Sequence, residues 1–220
     1  LLPNATPLTQ VTFEEDCQLA SIGENAFENQ DITEIELPKG VTTVGKFAFK
    51  NTSLTKITLS AKIDSTSFTN ITTTATGLQS IIVPTDSETL TSAYDGQIIY
   101  SKDMTKVLYV VNGFETDVYT VPATITEIAE NTFKGRSGIK SIVFAPAAEG
   151  ATLTIGNSAF AGTGITSIVL PANITAFGTG VFKDCADLAT VTFAEGYNYA
   201  TIPDNTFQNC KSLKRIVIPG

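Results

Sequence analysis

Few side chains in this sequence are of the types that carry out nucleophilic, acid–base or metal chemistry. The 220 residues include no histidine, and the three cysteines, Cys17, Cys185 and Cys210, show no Cys-x-x-Cys spacing. A zinc site of the usual kind, a Ser-His-Asp triad and a Cys-His pair each need groups that this sequence lacks. The carboxylates are therefore the remaining candidates for catalysis or metal binding.

The carboxylates occur in patterns that fit neither role well. Glu14, Glu15 and Asp16 could act as the paired acids of a glycan hydrolase, but adjacent acids in a loop splay apart and stay solvated. A second group of acids lacks the fixed ligand spacing of a calcium loop, and consists of Asp86, Glu88, Asp95 and Asp103. We therefore expect no enzymatic activity, no metal site and no cofactor.

A short phrase recurs along the chain and indicates a repeat architecture. "IGNSAFAGTGITSIVLP" (155–171) is matched by "IGENAFENQDITEIELP" (22–38) and "VGKFAFKNTSLTKITLS" (44–60), with looser copies at 128–146, 177–193 and 202–219. The centres of the alternating tails are spaced by 24, 22, 24, 61, 26, 23 and 25 residues. A period of 20 to 50 residues is typical of solenoids and propellers. The centres are Val11, Ile35, Ile57, Ile81, Ile142, Ile168, Val191 and Ile216.

Each tail has the alternation of a short strand that is buried on one side. In the copy at 155–171, Ile168 and Leu170 point one way while Ser167 and Val169 point the other. Pro171 follows and ends the pairing, because proline has no amide donor. We expect the eight tail centres to be buried in parallel strands.

The first half of each copy predicts a tight inward turn. Ile155 and Phe160 are five residues apart, with Gly156 supplying the backbone conformation between them. Such a unit cannot bury its apolar groups alone, but stacked copies form a continuous core. The aromatic side chains predicted to stack in that core are Phe27, Phe49, Phe133, Phe160, Phe182 and Phe207.

These features predict a β-rich solenoid, a stack of coils with one parallel sheet of short strands and an inserted β-hairpin. We expect residues 1–220 to form a single solenoid, with copies at about 1–84 and 121–220 and an irregular insert at 85–120. Cys185 and Cys210 occupy the same place in adjacent copies. They are either two small buried thiols or a disulfide, because neighbouring coils bring equivalent atoms to about 5 Å.

The repeated Ile-Gly, Ala-Phe and Leu-Pro pairs carry a family resemblance. The pattern "IGxxAFxxxxxLTxIxLP" resembles the leucine-rich repeat of the BspA-like type, found in surface proteins of bacteria and some protists. The resemblance covers nearly the whole chain and implies a right-handed, leucine-rich-repeat-like stack of coils. It implies an extracellular or cell-surface location and a binding or adhesion role, since some relatives are described as adhesins. A different class of parallel β-helix is an alternative, whereas a propeller blade needs about 40 to 50 residues.

The insert contains the two alternating runs of the predicted hairpin. Gln97–Ser101 and Lys106–Val110 are joined by residues 102–105. In the resembling family a similar insert occurs between ordinary copies. Tyr100 and Tyr109 either cover the stack or project toward a partner, which makes them a secondary candidate site.

The outward positions of the strands form a column that is the main candidate for partner binding. Its residues are β-branched except for one, a composition that suits any exposed strand but also fits a weakly charged ligand face. The candidate residues are Glu36, Thr58, Ile82, Val143, Val169, Thr192 and Val217. The sequence does not name the protein or glycan that such a face would bind.

Charge and hydropathy restrict the partners further. The net charge is −8 and the sequence pI is about 4.5, which disfavours nucleic acid and anionic membranes. No apolar run approaches the roughly 20 residues of a membrane-spanning helix, and the opening "LLPNATPLTQ" lacks signal-peptide features. We expect a trimmed piece of a longer secreted or cell-surface protein. It is either a binding module or a structural spacer with no ligand of its own.

Overall fold

A computed structural model describes residues 6–198 and 201–220. The chain is a β-solenoid built from short parallel strands, which confirms the predicted fold class. It divides into two compact units, Leu1–Lys102 and Asp103–Gly220, which we call unit 1 and unit 2. The division falls within the connection between the two predicted hairpin runs, and both runs contain a strand.

Unit 1 combines parallel strands with one helix and one antiparallel hairpin. Its elements are β1 (Ser21–Ile22), β2 (Glu34–Glu36), β3 (Thr43–Val44), β4 (Lys56–Thr58), α1 (Ser65–Thr74), β5 (Ser80–Ile82), β6 (Leu90–Ala93) and β7 (Ile98–Ser101). β1 pairs with β3, and β2, β4 and β5 form a second parallel ladder. β6 and β7 form the antiparallel hairpin.

Unit 2 contains three parallel ladders. Its strands are β8 (Lys106–Val110), β9 (Tyr119–Val121), β10 (Glu127–Ile128), β11 (Ile142–Phe144), β12 (Leu153–Ile155), β13 (Ser167–Leu170), β14 (Ile174–Phe177), β15 (Thr190–Phe193) and β16 (Arg215–Val217). The ladders are β8-β10-β12-β14, β9-β11 and β13-β15-β16. Each coil thus contributes strands to two columns, one from the Ile-Gly part and one from the tail.

The tail strands do not form the one continuous sheet that we expected. In unit 1 the turn of the β6–β7 hairpin takes the place of the next parallel strand beside β5. The Ile81 amide donates to the Gly96 carbonyl at 3.2 Å, and a Cβ on Gly96 would lie 2.3 Å from the Ile81 oxygen. Gly96 also has a φ of +82°. Glycine suits this position because it has no Cβ to collide with Ile81 and because it adopts a positive φ without strain.

The predicted burial of the tail centres fails at the two ends of the chain. Six of the eight centres are buried in parallel strands, but Val11 is half-buried outside any strand, and Ile216 lies in β16 with 39% exposure. β16 is the last strand of its ladder in the described part of the chain. An inward side chain there has a described neighbouring coil on one side only, so it is less buried than its equivalents in the interior coils.

The predicted stacking of the aromatic side chains is present within each unit. In unit 2, consecutive ring centroids lie 5.3 Å apart for Phe133 and Phe160, 5.5 Å for Phe160 and Phe182, and 5.9 Å for Phe182 and Phe207. In unit 1, Phe27 and Phe49 stack at 5.6 Å. We call this column the Phe ladder. Offset stacking at such distances adds to the hydrophobic gain of burying each ring.

Two residues with positive φ flank each phenylalanine of the ladder, which the sequence analysis did not predict. They stand two positions before and two positions after the ring, and most are glycine, asparagine or aspartate, which tolerate this conformation. The positions before are Asn25, Phe47, Asn131, Ser158, Gly180 and Asn205, and those after are Asn29, Asn51, Gly135, Gly162, Asp184 and Asn209. Phe47 and Ser158 are the unfavourable exceptions.

Gly156 has a different role from the one expected. It does not have a positive φ; instead, a Cβ at this position would lie 2.6 Å from the Glu130 nitrogen of the preceding coil. Gly45 meets the backbone of Glu24 in the same way at 2.5 Å. The Ile-Gly pair therefore allows adjacent coils to approach closely, and the bend is supplied by the positive-φ positions that flank each ring.

The helix α1 lies between β4 and β5 and so replaces part of the coil that ends in β5. Asp64 caps its first turn by accepting from the Ser67 amide at 2.6 Å. Ser67, Phe68 and Ile71 are its buried residues. The buried Ser67 hydroxyl accepts from the Val44 amide at 2.8 Å, so it ties the helix to β3.

Candidate functional site

The outward column of unit 1 is aligned by strand register. Glu36 lies opposite Thr58, and Thr58 lies opposite Ile82. Glu36 and Ile82 are exposed, with Ile82 at 43%, and Thr58 is half-buried. Beside this column, Lys56 Nζ lies 3.3 Å from Glu34 Oε2 in an exposed ion pair. The outward column of unit 1, together with the ion pair beside it, is therefore both apolar and charged.

The outward column of unit 2 is less charged and more apolar. Val169, Thr192 and Val217 are in register across β13, β15 and β16. Val143 lies on β11, where its partner in register is Thr120. Val143 is 46% exposed and Val169 is 60% exposed. We call the outward column of unit 2, including Thr120, the outward face.

Thr120 was missed by the sequence analysis. The run "VYTVP" (118–122) has the same alternation and terminal proline as "IELP" (35–38), but it fell largely inside the stretch assigned to the insert. Tyr119 is fully buried and packs against Phe133 in a tilted arrangement, with a centroid distance of 5.2 Å. The repeat therefore resumes earlier than predicted, at β8 and β9.

Of the two roles expected for Tyr100, the structure supports cover of the stack and not contact with a partner. It is only 2% exposed, because β7 buries its first three residues. Tyr109 is half-buried on β8, and the Arg136 guanidinium lies 5.6 Å from its ring centroid. Arg136 also donates from Nε and Nη2 to the Val110 carbonyl at 2.8 and 2.6 Å.

The Tyr109–Arg136 pair is a structural contact. Burial raises the pKa of Tyr109, and the neighbouring Arg136 opposes this change. Burial lowers the pKa of Arg136, and Tyr109 opposes that in turn. A neutral phenol and a charged guanidinium that also bonds to the backbone hold β8 against the turn of the next coil.

The cysteines are free thiols, and no disulfide joins Cys185 to Cys210. The Cys185 thiol donates to the Phe160 carbonyl at 3.1 Å, and the Cys210 thiol donates to the Phe182 carbonyl at 3.0 Å. Burial raises the pKa of Cys185, and it raises the pKa of Cys210 to about 11. Both thiols therefore stay protonated near neutral pH and act as weak donors between coils.

The acidic candidates form no cluster that could hold a metal ion within the part of the chain that the structure describes. Glu14, Glu15 and Asp16 are exposed. Among the residues that the structure describes, no group of three or more His, Cys, Asp or Glu side chains is arranged to hold a metal ion. Asp103 accepts at Oδ1 from the amide and the hydroxyl of Thr105, at 3.1 and 2.8 Å, and so shapes a turn.

Comparison with known families agrees with this architecture. Residues 3–107 and 112–220 match the model of the BspA type leucine rich repeat region, with six copies. The chain belongs to the BspA type leucine-rich repeat family. No functionally curated protein matches the sequence. Among residues 6–198 and 201–220, no helix has the length and apolar character needed to cross a membrane.

Solved structures of other leucine-rich repeat proteins share the fold. A leucine-rich repeat protein from Eubacterium ventriosum has a TM-score of 0.68 at 22% identity, over 90% of this chain and 57% of its own. The pneumococcal vaccine antigen PcpA has a TM-score of 0.66 at 24% identity, over 93% and 61%.

A third similar structure is a leucine rich cell surface protein from Faecalibacterium prausnitzii. It has a TM-score of 0.59 at 20% identity, over 92% of this chain and 52% of its own. The chain therefore spans between about half and three fifths of the length of these three proteins.

Proposed function

We propose that this chain is a non-enzymatic binding or adhesion module of a secreted or cell-surface protein. It recognises a protein or glycan partner through the outward face. The observation that carries the proposal is the exposure of Val143 and Val169, at 46% and 60%. Interface cores are depleted in charge, and exposed apolar rows are typical of recognition surfaces.

The chemistry of the surrounding strands supports the same choice. The positions that flank Val169 and its register partners are Ser167, Thr190 and Arg215, so no carboxylate stands in that flanking row. The rest of the chain is acidic, with a net charge of −8. A partner that covers Val169 and its register partners would not have to remove water from an acidic side chain in that column or in the flanking row. Removing water from a charged side chain costs free energy.

The family supports the proposed location. BspA type repeats and a structural neighbour named as a leucine rich cell surface protein both favour display outside a cell. The alternative role is a spacer that presents another domain and has no ligand of its own. A solenoid core is completed by its own coils and needs no ligand.

A binding panel distinguishes the two roles. The immobilised chain would be tested at micromolar concentration against purified matrix proteins and against polysaccharides. A binding module retains at least one of them in a saturable way. If the immobilised chain retains none of these molecules, the result favours the spacer role. Degradation of a polysaccharide would instead indicate the glycan hydrolase considered for Glu14, Glu15 and Asp16.

A double variant then tests the outward face with whichever panel component binds. Val143→Glu with Val169→Glu should weaken binding at least tenfold, about 1.4 kcal/mol, while the chain stays folded. The matched control is Thr175→Glu with Ala176→Glu, which adds the same charge at two exposed positions of β14. Unchanged binding by the first variant contradicts the proposal. Loss of binding on Tyr109→Ala alone would move the site to β8.

A further inference from the structure

One edge of β2 has no strand beside it among residues 6–198 and 201–220. On the other edge, the Leu37 amide donates to the Thr58 carbonyl, and the Thr33 carbonyl accepts from the Lys56 amide at 3.3 Å. Backbone groups of successive residues in a strand face opposite edges. Because Thr33 and Leu37 face β4, the backbone N–H and C=O groups of Glu34 and Glu36 face away from it.

A cleft of about 800 Å³ lies along this open edge. Residues 9–15 line it together with residues 33–39 of the β2 region. No described residue forms a ladder with β2 on this side, and residues 9–13 form no strand of their own. An unpaired strand edge beside an open cleft is the geometry at which an extended peptide adds as a further strand.

The charges around the cleft define the chemistry of its occupant. Four carboxylates line it, those of Glu14, Glu15, Glu34 and Glu36, against two ammonium groups, those of Lys39 and Lys56. Lys56 already pairs with Glu34 at 3.3 Å. The excess of negative charge favours a strand that carries lysine or arginine, and a complementary charge also raises the association rate.

We propose that the open edge of β2 binds an extended, lysine- or arginine-bearing segment of a partner protein by strand addition. The main-chain groups of Glu34 and Glu36 provide the hydrogen bonds, and the carboxylates around the cleft select the basic side chains. This site differs from the outward face of unit 2, because it lies at the open edge of β2 and combines main-chain groups with the carboxylate side chains of the cleft.

Hydrogen exchange on the unmodified chain tests the proposal directly. The probe is an eight-residue peptide of alternating threonine and lysine, added at low salt. The amides of Glu34 and Glu36 should exchange at least tenfold more slowly when the peptide is bound, because they then donate to its carbonyls. Binding without protection of these two amides overturns the proposal, as does the absence of binding at millimolar peptide.

Two matched controls separate strand addition from charge attraction. The same peptide N-methylated at every backbone nitrogen keeps its charge but has no backbone donor on either edge, so it should bind at least tenfold more weakly. Equal binding of the methylated peptide, or equal competition by spermine, shows that charge alone acts and overturns the proposal.

A variant of the chain itself also separates strand addition from charge attraction. Glu36→Pro removes an amide that faces the cleft and spares the bonds to β4, a placement that edge strands tolerate. It should abolish peptide binding, whereas Glu36→Gln removes the charge and should weaken binding by only a fewfold. The proposal is overturned if Glu36→Pro folds and binds the peptide as tightly as the parent chain does. If this variant does not fold, the methylated peptide decides the question alone.

Discussion

The coil at 155–171 and the last coil of unit 2, at 202–219, have nearly the same sequence pattern but different burial. Ile168 and Ile216 both lie in register with Val191 of the strand between them. Ile168 is 3% exposed, whereas Ile216 is 39% exposed. The same contrast holds on the Phe ladder, where Phe160 is fully buried and Phe207 is half-buried.

This difference shows that the repeat sequence places a side chain inward, and the neighbouring coils bury it. In a repeat protein, stability is approximately the sum of the terms within each coil and the terms between adjacent coils. An interior coil has two such interfaces and a terminal coil has one. The same substitution should therefore cost more in the interior than at the end.

The largest expected effect is on the Phe ladder. Phe160→Ala should lower the free energy of unfolding by about 3–5 kcal/mol, because it opens a cavity between the rings of Phe133 and Phe182. Phe207→Ala, the matched control, should cost about 1–2 kcal/mol, since its half-buried ring stacks on Phe182 and on no other ring of the described residues. Reversible urea denaturation measures both. A loss below about 1 kcal/mol for Phe160→Ala would contradict its place in the core.

The next effect is at the Ile-Gly pairs. Gly156→Ala should cost about 1–3 kcal/mol, because the new methyl group collides with the backbone of the preceding coil. Gly23 occupies the same repeat position at the start of unit 1, where no described atom lies within 4 Å of an added Cβ. Gly23→Ala should therefore change the free energy of unfolding by less than about 0.5 kcal/mol. Similar losses at the two sites in urea denaturation would refute the close approach of coils.

A smaller effect, of opposite sign, is expected at Phe47. This exposed residue has a φ of +60° where the equivalent residues Asn25, Asn131 and Asn205 are asparagine. Phe47→Asn should raise the free energy of unfolding by about 0.5–1 kcal/mol, because asparagine tolerates this conformation better. The reverse change Asn25→Phe, followed by thermal and urea denaturation, should destabilise the chain. Destabilisation by Phe47→Asn would mean that the Lys50 ammonium, 5.2 Å from the Phe47 ring centroid, contributes more than the strain costs.

The sequence predicts the elements that depend on periodicity. Alternation around Ile168 and Pro171 identifies β13, and the spacing of Phe160 from Phe182 identifies the Phe ladder. These patterns repeat, so each copy reinforces the phase of the others. The same alternation predicts outward positions for Val143 and Val169, and both side chains are exposed.

The features that could not be predicted depend on contacts between coils. The helix α1 consists largely of threonine, serine and asparagine, which are poor helix formers, and it depends on the Asp64 cap and the bond between Ser67 and Val44. Ser67, which accepts from Val44 in that bond, is not marked by a repeat. Val11 has the alternation of a strand, but alternation does not reveal that a cleft lies where its ladder would be.

The central claim is that neighbouring residues of one strand divide between holding the stack and facing a partner. The most direct test is the difference in the free energy of unfolding between Ile168→Ala and Val169→Ala, two truncations on adjacent residues of β13. Ile168→Ala should cost about 2–5 kcal/mol, and Val169→Ala should cost less than about 1 kcal/mol. Equal losses for the two variants would contradict the division and remove the basis for an outward face.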